Sequence, residues 1–414
     1  MVERATKLAI EGGIPTHTGG WPKWPVWDER EEQMLLDVLR SGQWGMNNGQ
    51  RVREFEKRWA TFQEAAYCVC VTNGTCALEL SLRALGIGWG DEVIVPSYTF
   101  VATATAVLMV GALPVFVDID RDTYGLDAEA AAAAVTSRTK AVIPVHIAGC
   151  PADMDDIVAV ARRHDLAVLE DAAQAHGAAW RGQRVGAIGD LGTFSFQASK
   201  NINAGEGGAI VTNSERLYQM VWSLHNVGRI QTPDWRTRGW YEHEILGTNA
   251  RMTEFQAALL LAQLTRVEEQ MAHRERAARY LDQHLAEIPG IRPLQPDARV
   301  TSHAHHLYIF RYDASAFGGH PRAEFLAALY KEGIPCSSGY GAPLHHAPAV
   351  VTAWRRLSTQ LGRSEQLTAG ALPVAERAGY EEAVWLSQQL LLAPEADLAA
   401  IPEAICKIQR AWGG

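Results

Sequence analysis

One lysine lies alone between two apolar segments of the chain. Lys200 follows Phe194-Ser195-Phe196 and precedes the glycine-rich segment Gly205-Glu206-Gly207-Gly208. On a solvated turn the lysine would be inert. Shielded from water, its amine would have a lowered pKa and would act as a nucleophile, and the hydroxyl of Ser195 could donate to a phosphate. The sequence here allows both a solvated turn residue and a covalent anchor.

A second segment that could bind a ligand is Thr72-Asn73-Gly74-Thr75, directly before a predicted helix. Glycine at position 74 lets the backbone approach an anion. The free N–H groups and positive potential of a helix N-terminus favour a phosphate at this place. A plain helix cap made by Asn73 or Thr75 is the alternative interpretation.

Two more candidates follow predicted strands. Glu170 and Asp171 end an apolar strand, where a buried carboxylate needs a cationic partner such as a protonated heterocyclic nitrogen. Capping of the next helix by Asp171 is the alternative. Phe100 belongs either to the core or to a stack on a flat ligand. Together the four segments contain the phosphate cup, stacking ring, carboxylate and Schiff-base lysine of a pyridoxal phosphate site.

These segments require a fold that brings strand ends together. Apolar strands alternate with helical patterns from Ala66 to Glu170, which predicts a mostly parallel sheet covered by helices on both faces. Ligands of such sheets bind outside the carboxyl ends of the strands. From Thr253 to about Ile288 one long helical pattern follows.

Three parts of the chain follow from this organisation. We expect an extended N-terminal segment at 1–25, rich in Gly, Pro and Trp, and a large α/β domain at 26–265 that binds the cofactor. Residues 266–414 are predicted to form a smaller C-terminal α+β domain.

Composition restricts the possible partners. The chain has 414 residues, 47% of them hydrophobic, and a net charge of −9. Because it has no basic tract, we expect no nucleic-acid partner, and because it has no long apolar run, we expect no membrane span and no signal peptide. The six cysteines lack the spacing of a zinc or disulfide framework, so reduced thiols in the cytoplasm are expected.

Several longer stretches carry a family resemblance. The sequences TNGTCALELSLRALGIGWGDEVIVPSYTFVATA, LEDAAQAHGA, GDLGTFSFQASKNINAGEGGAIVTN and GTNARMTEFQAALL occur in this order. The chain resembles the DegT/DnrJ/EryC family of sugar aminotransferases, which are fold-type I pyridoxal phosphate enzymes. This resemblance implies a large domain with a mostly parallel sheet of the seven-stranded type. The segments at 21–25, 41–44 and 384–386 are similar to aminocyclitol aminotransferases and 3-amino-5-hydroxybenzoate synthases.

The resemblance assigns roles around the cofactor ring. It implies that Lys200 forms the Schiff base, and that Asp171 pairs with the pyridine nitrogen and keeps it protonated. It further implies that Gln174 approaches the ring hydroxyl and that Phe100 stacks on the ring. Some family members have histidine in place of the lysine and carry out dehydration, so Lys200 favours transamination.

The resemblance also assigns the phosphate ligands. Gly74, Thr75 and Ser195 are expected to hold the phosphate within one chain. Asn249, in GTNARM, is expected to reach the phosphate of the neighbouring subunit, which implies a homodimer with shared active sites. A local turn cap is the alternative for Asn249.

The implied reaction has two halves. L-glutamate or L-glutamine gives up its amino group, with Lys200 as general base at the α-carbon, and leaves pyridoxamine phosphate. A keto-sugar or an inosose-like keto-cyclitol then takes the amino group, as in aminoglycoside pathways.

Contacts to the acceptor are predicted at five side chains: His146, His176, Tyr340, His345 and Gln388. The two histidines His146 and His176 have a structural role as their alternative. Gln388 stands where the 3-amino-5-hydroxybenzoate synthases have histidine, and this difference argues against their activity here.

Two further groups of residues have open roles. His303, His305 and His306 form a cluster that we interpret as structural, so no metal site is predicted. Arg229 and Arg251 are able either to grip a carboxylate bidentately or to form surface ion pairs.

Three other functions remain as alternatives. One is an elimination reaction like that of the 3-amino-5-hydroxybenzoate synthases, and another is a catalytically silent, ligand-sensing protein of the same fold. The intact set Lys200, Asp171 and Ser195 argues against the silent protein. A nucleotide-binding module is the third, but the chain has neither a Walker lysine nor a G-x-G-x-x-G run.

Overall fold

The computed structural model describes residues 7–230, 242–363 and 367–413, and this part of the chain contains thirteen strands in three sheets. In chain order the strands are β1 (Tyr67–Val71), β2 (Glu92–Pro96), β3 (Leu113–Val117), β4 (Thr139–Val142), β5 (Ala167–Asp171), β6 (Ala179–Trp180), β7 (Gln183–Arg184), β8 (Leu191–Ser195), β9 (Gly208–Thr212), β10 (Ile291–Pro293), β11 (Val300–Ser302), β12 (Leu307–Tyr312) and β13 (Ala383–Ser387).

The central sheet has seven strands in the order β1-β9-β8-β5-β4-β2-β3. Strand β9 runs antiparallel to both of its neighbours, β1 and β8. The other neighbouring strands are parallel to each other. The structure thus confirms the predicted mostly parallel sheet of seven strands.

Fourteen α-helices surround the sheets within the described ranges. They are α1 (Glu29–Ser41), α2 (Arg51–Phe62), α3 (Gly74–Ala84), α4 (Ala102–Met109), α5 (Ala128–Ala133), α6 (Met154–His164), α7 (Glu215–His225), α8 (Glu254–Leu264), α9 (Val267–Leu285), α10 (Arg322–Lys331), α11 (Pro348–Gln360), α12 (Pro373–Arg377), α13 (Glu395–Leu398) and α14 (Ala400–Trp412). None of these helices combines the length and the apolar character needed to cross a membrane.

Helices cover both faces of the central sheet. In β1, Val69 and Val71 pack into one core with α3, α4 and α7, while Cys68 and Cys70 pack into a second core with α2, α6 and α8. Successive side chains of a strand point to opposite faces, so a strand buried on both sides is apolar throughout. The unbroken apolar runs in the sequence have this physical origin.

The C-terminal part of the chain has its own core. The antiparallel sheet β10-β12-β13 packs against α9, α10 and α14, with Leu281, Phe325 and Ile405 among the buried side chains. Helix α9 contributes to two cores, because Val267 near its start lies in the core of the large sheet. The domain boundaries at 25 and 265 remain predictions.

The helical pattern predicted from Thr253 to about Ile288 is confirmed, and it is divided between two helices. The structure has two helices, α8 and α9, with Thr265 and Arg266 between them. Arg266 leaves the helical conformation, with φ −124° and ψ 4°, and its buried guanidinium binds Glu31 on α1. A long-range ion pair therefore lies at the junction of the two helices, and the local sequence pattern contains no sign of it.

The N-terminal segment runs from the C-terminal part of the chain to the loop before Lys200. Leu8 lies in the core of the C-terminal part. The indole N–H of Trp21 donates to the carbonyl of Gly333 at 2.8 Å, and that of Trp24 donates to the carbonyl of Ala198 at 2.9 Å. Residues 1–6 of the predicted segment lie outside the described residues.

Candidate active site

A cavity of about 910 Å³ opens at the carboxyl ends of the central strands. Nine of the predicted site residues line it: Gly74, Thr75, Phe100, Asp171, Gln174, Ser195, Lys200, Tyr340 and Gln388. Four others do not: His146, His176, Asn249 and His345. The parallel arrangement explains this meeting, because parallel strands present their carboxyl ends at one edge of the sheet.

Helix α3 begins at the wall of the cavity. Asn73 caps it and accepts a hydrogen bond from the N–H of Cys76 at 2.8 Å. The other N–H groups of the first turn have no partners within the helix, as at every helix N-terminus. A Cβ atom at position 74 would lie 2.9 Å from the Cβ of Ser195, so only glycine fits between α3 and β8. Thr75 and Ser195 place hydroxyls beside this helix N-terminus, and the arrangement suits a phosphate.

Asp171 ends β5 and is 6% exposed. Its Oδ2 accepts a hydrogen bond from the hydroxyl of Thr103 at 2.9 Å, and its Oδ1 accepts one from the N–H of Ala173 at 3.3 Å. Burial raises the pKa of Asp171, while these hydrogen bonds and the charge of Lys200 act in the opposite direction. A cationic ligand group would compensate the buried carboxylate further.

Lys200 lies in the connection from β8 to β9. Ser195 and Gly208 pair at the base of this connection, and within it the N–H of Ala198 donates to the carbonyl of Gly205. Burial lowers the pKa of the Lys200 amine to about 8, and the negative charge of Asp171 partly opposes this shift. An amine with this pKa is partly neutral near neutral pH and is therefore nucleophilic.

Gln174 has a fixed orientation in the cavity. Its Oε1 accepts a hydrogen bond from the N–H of Ala148 at 2.6 Å, and its Nε2 donates to the hydroxyl of Tyr340 at 2.8 Å. The ring of Phe100 lies 6.4 Å from that of Tyr340 and is 56% exposed. An apolar ring this exposed is available for a flat ligand.

Gln388 connects the cavity to a buried cation. Its Oε1 accepts hydrogen bonds from Nε and Nη2 of Arg274, at 3.1 and 2.6 Å. Arg274 is fully buried, burial lowers its pKa to about 9, and Trp24 packs over its guanidinium at 5.4 Å. The neutral amide of Gln388 therefore separates a positive charge from the cavity.

His146 supports the site from below. It is fully buried, its Nε2 lies 3.0 Å from Oε2 of Glu170, and its Nδ1 accepts a hydrogen bond from the N–H of Ala152. Glu170 also accepts hydrogen bonds from three backbone N–H groups, those of Gly186, Ile188 and Gly189. These contacts favour the structural alternative for His146.

The other three predicted site residues that do not line the cavity are His176, His345 and Asn249. Both histidines form hydrogen bonds within the protein, and Asn249 is exposed. Nε2 of His176 donates to the carbonyl of Ser195 at 2.9 Å, and burial lowers the pKa of this histidine to about 3. Nδ1 of His345 lies 2.5 Å from the hydroxyl of Ser97. Asn249 is exposed on the surface of the chain.

The histidine cluster and the arginine pair have different surroundings. Among the cluster residues, His306 lines the cavity and its Nδ1 lies 3.1 Å from Oδ1 of Asn201. Arg229 and Arg251 both donate to Oδ1 of Asn226, at 3.2 and 3.0 Å, and neither lines the cavity.

Sequence reasoning missed several residues of the site. Thr103 holds Asp171, and Trp385, His306 and Met109 line the cavity. Thr103 lies in the first turn of α4, which follows β2, two positions from β5 in the sheet, and it has no motif of its own. The apolar run VWLS is the one signal from which the strand β13 around Trp385 could have been found, and it contains no sign of which face meets the cavity.

Comparisons with known proteins agree with this site. The profile of the DegT/DnrJ/EryC1/StrS aminotransferase family matches residues 25–383. The chain is 40% identical over 419 residues to an L-glutamine:2-deoxy-scyllo-inosose aminotransferase of Streptoalloteichus tenebrarius, with 98% of each chain covered. It is 38% identical over 392 residues to a 3-amino-5-hydroxybenzoate synthase of Amycolatopsis mediterranei, covering 93% of this chain and 96% of the relative.

A solved structure shows the same fold. The crystal structure of a 3-amino-5-hydroxybenzoic acid synthase superimposes with a TM-score of 0.85 at 36% identity, over 95% of this chain and 99% of the other. The protein therefore has the fold of a fold-type I aminotransferase. It belongs to the DegT/DnrJ/EryC1/StrS aminotransferase family, which confirms the resemblance found in its sequence, and the family implies pyridoxal phosphate as the cofactor.

Replacement of Glu170 tests the layer below the cavity. In Glu170→Gln, the amide NH2 would face backbone N–H groups that now donate to the carboxylate. We expect a loss of about 2–4 kcal/mol in the free energy of unfolding, measured by urea denaturation. Glu403→Gln, at an exposed position, is the matched control. Equal midpoints for the two variants would show that the contacts of Glu170 do not stabilise the fold.

The pKa of Lys200 gives a second prediction. Without added cofactor, acylation of Lys200 by acetic anhydride should rise with pH around a midpoint near 8, because only the neutral amine reacts. Asp171→Asn should move this midpoint to lower pH, since the charge of Asp171 raises the pKa of Lys200. Peptide mass spectrometry measures the reaction, with exposed Lys140 as the internal reference. A midpoint that rises or stays constant in the variant would contradict the proposed coupling.

Proposed function

We propose that the protein transfers the amino group of L-glutamine, or of L-glutamate, to an inosose-like keto-cyclitol or a keto-sugar with pyridoxal phosphate as cofactor. The observation that carries this proposal is that one cavity contains the Lys200 amine, the Asp171 carboxylate and the N-terminus of α3. Each group has a different chemical task, and the three together fit one cofactor.

The residues present suit this cofactor. The lowered pKa of Lys200 suits an amine that condenses with an aldehyde. The buried carboxylate of Asp171 suits a protonated ring nitrogen, and the close approach of Gly74 to Ser195 leaves a cradle for a phosphate. Gln174, fixed by Ala148 and Tyr340, is proposed to lie beside the ring hydroxyl.

When bound, pyridoxal phosphate supplies an electron-withdrawing ring that stabilises negative charge at the α-carbon of the amino donor. The carboxylate of Asp171 would hold the positive charge of a protonated ring nitrogen. Nζ of Lys200 takes the proton from the donor α-carbon and delivers a proton in the acceptor half of the reaction. The exposed ring of Phe100, which lines the cavity, would offer a stacking surface to the flat ring.

The relatives and the cavity support the substrate class. The relative described above is named an L-glutamine:2-deoxy-scyllo-inosose aminotransferase. Tyr340 and Gln388 line the cavity with a hydroxyl and an amide, which suit the hydroxyl groups of a cyclitol or sugar. Arg274, behind Gln388, makes that side electropositive and favours the carboxylate of the donor. His146, His176 and His345 do not line the cavity, so the proposed substrate contacts do not include them.

A homodimer would complete the site. Asn249 is exposed and lies outside the cavity of its own chain. Phe100, Val101 and Met109 are exposed at 56%, 39% and 59%, and Phe100 and Met109 also line the cavity. Exposed apolar surface of this kind is typical of an interaction site. We infer that a second copy covers this surface and that its Asn249 contacts the phosphate.

A second candidate function is elimination like that of the 3-amino-5-hydroxybenzoate synthases. The similarity to a protein of this name, in both sequence and fold, favours it. The two functions use the same lysine and differ in the second substrate. Turnover of an amino-shikimate-type compound, compared with turnover of a keto-cyclitol, therefore distinguishes the two functions. A silent, ligand-sensing protein would turn over neither compound.

The first half of the reaction gives a direct prediction. With cofactor bound, the visible absorption of the protein should bleach on addition of L-glutamine and return on addition of 2-deoxy-scyllo-inosose. Lys200→Ala should lose this response by at least about a thousandfold in rate, since the base and the anchor are both removed. Lys140→Ala, which removes an exposed lysine, is the matched control.

Each outcome of that experiment separates the candidates. Product formation from an amino-shikimate-type compound, but not from the keto-cyclitol, would favour elimination. A protein that binds the cofactor and ignores both amino donors would contradict the aminotransferase proposal for these donors.

Mixing two inactive variants tests the shared site. Asn249→Asp would place a carboxylate against the phosphate of the partner's cofactor, and Lys200→Ala removes the anchor within its own chain. Co-folded in equal amounts, the two variants should regain about a quarter of the wild-type activity, because half of the dimers are mixed and each has one intact site.

The control for this mixing is a single-chain defect in both partners. Lys200→Ala mixed with Asp171→Asn should stay inactive, because both defects would then affect sites built from the same chain. Recovery in this control, or none in the first mixture, would contradict the role of Asn249 across the interface.

A further inference from the structure

A group of three side chains beside the cavity has no role in the proposed reaction. His345 and His346 lie on the short turn Leu344–His346, and Glu376 lies on α12. Nε2 of His345 lies 3.3 Å from Oε1 of Glu376, and Nε2 of His346 lies 4.0 Å from the same oxygen. The three potential ligand atoms all lie within 4.8 Å of one another.

The other ring nitrogen of each histidine has a hydroxyl partner. Nδ1 of His345 lies 2.5 Å from the hydroxyl of Ser97, and Nδ1 of His346 lies 3.0 Å from the hydroxyl of Tyr380. Histidines that bind metals almost always use the second nitrogen in this way, because the hydrogen bond fixes the orientation of the ring. Both Nε2 atoms therefore face the same carboxylate oxygen.

An ion pair explains only part of this arrangement. Glu376 paired with His345 would use one imidazole and would give no role to the Nε2 of His346 beside the same oxygen. Glu376 is 46% exposed, and exposed ion pairs contribute little to stability. A cation shared by the three groups accounts for all of them.

We propose that His345, His346 and Glu376 bind one zinc ion, with water in the fourth position. Two nitrogen or oxygen ligands of a tetrahedral zinc lie about 3.4 Å apart, because each bond is about 2.0–2.1 Å long. The separation of 3.3 Å fits, and the other two separations, of 4.0 Å and at most 4.8 Å, would close by rotations of His346 and Glu376, whose side chains are 45% and 46% exposed. Two imidazoles and one carboxylate form a common ligand set for zinc.

The position of this group links it to the loop that frames the cavity. Besides its contact with His345, Ser97 accepts a hydrogen bond at its carbonyl from the N–H of Leu344, at 2.8 Å. Phe100 lies three residues further along that loop and lines the cavity. Bound zinc would tie the loop to α12 and stabilise it, without contacting the reacting atoms.

The test uses the holoenzyme, freed of metal by a chelator and titrated with zinc sulfate by calorimetry. We expect saturable binding of one ion per chain and a rise in the midpoint of thermal unfolding with zinc. Glu376→Gln and His346→Asn should each weaken binding by at least about tenfold and abolish most of the rise. Both positions are half exposed, so both variants should fold.

A matched control removes a histidine of another His–Glu pair. His320→Asn affects an exposed imidazole that lies 2.6 Å from Glu324, outside the group, and should leave zinc binding unchanged. No saturable binding by the wild type would overturn the proposal. So would binding that survives both Glu376→Gln and His346→Asn, since the metal would then occupy another place, such as the cofactor itself.

Discussion

An amine and a carboxylate share one cavity, where burial removes part of their hydration and both charges must be compensated. Removing a charge from water is unfavourable unless hydrogen bonds or an opposite charge replace the lost hydration. Asp171 has the hydroxyl of Thr103 and the N–H of Ala173, and Lys200 has the field of Asp171. Burial and attraction together leave the amine with a pKa of about 8, where it can both accept and release a proton.

The sheet brings these two groups together. Asp171 pairs with Thr193 in the parallel ladder of β5 and β8, so Asp171 and Ser195 end neighbouring strands at one edge. Strand β9 then returns antiparallel, and its pairing with β8 closes the connection that contains Lys200. A Cβ atom at Gly208 would lie 2.5 Å from the backbone carbonyl carbon of Asn73, so glycine is required where β9 passes the start of α3.

Two adjacent acids at the end of β5 have different environments. Successive side chains of a strand point to opposite faces, so Asp171 faces the cavity and Glu170 faces the layer below. There Glu170 binds His146 and three backbone N–H groups of the turn before β8. Glu170 therefore holds the backbone around the end of β5, where Asp171 lies.

The order and type of the main elements, and several groups of the site including Lys200 and Asp171, could be predicted from the amino-acid sequence. Periodicity and strand-end position are local properties, so residue spacing encodes them directly. It could not be predicted that Arg266 lies between two helices, that Thr103 holds Asp171 across 68 residues, or that Glu376 meets His345 across 31. Such contacts depend on how distant elements pack, and local spacing contains no information about that packing.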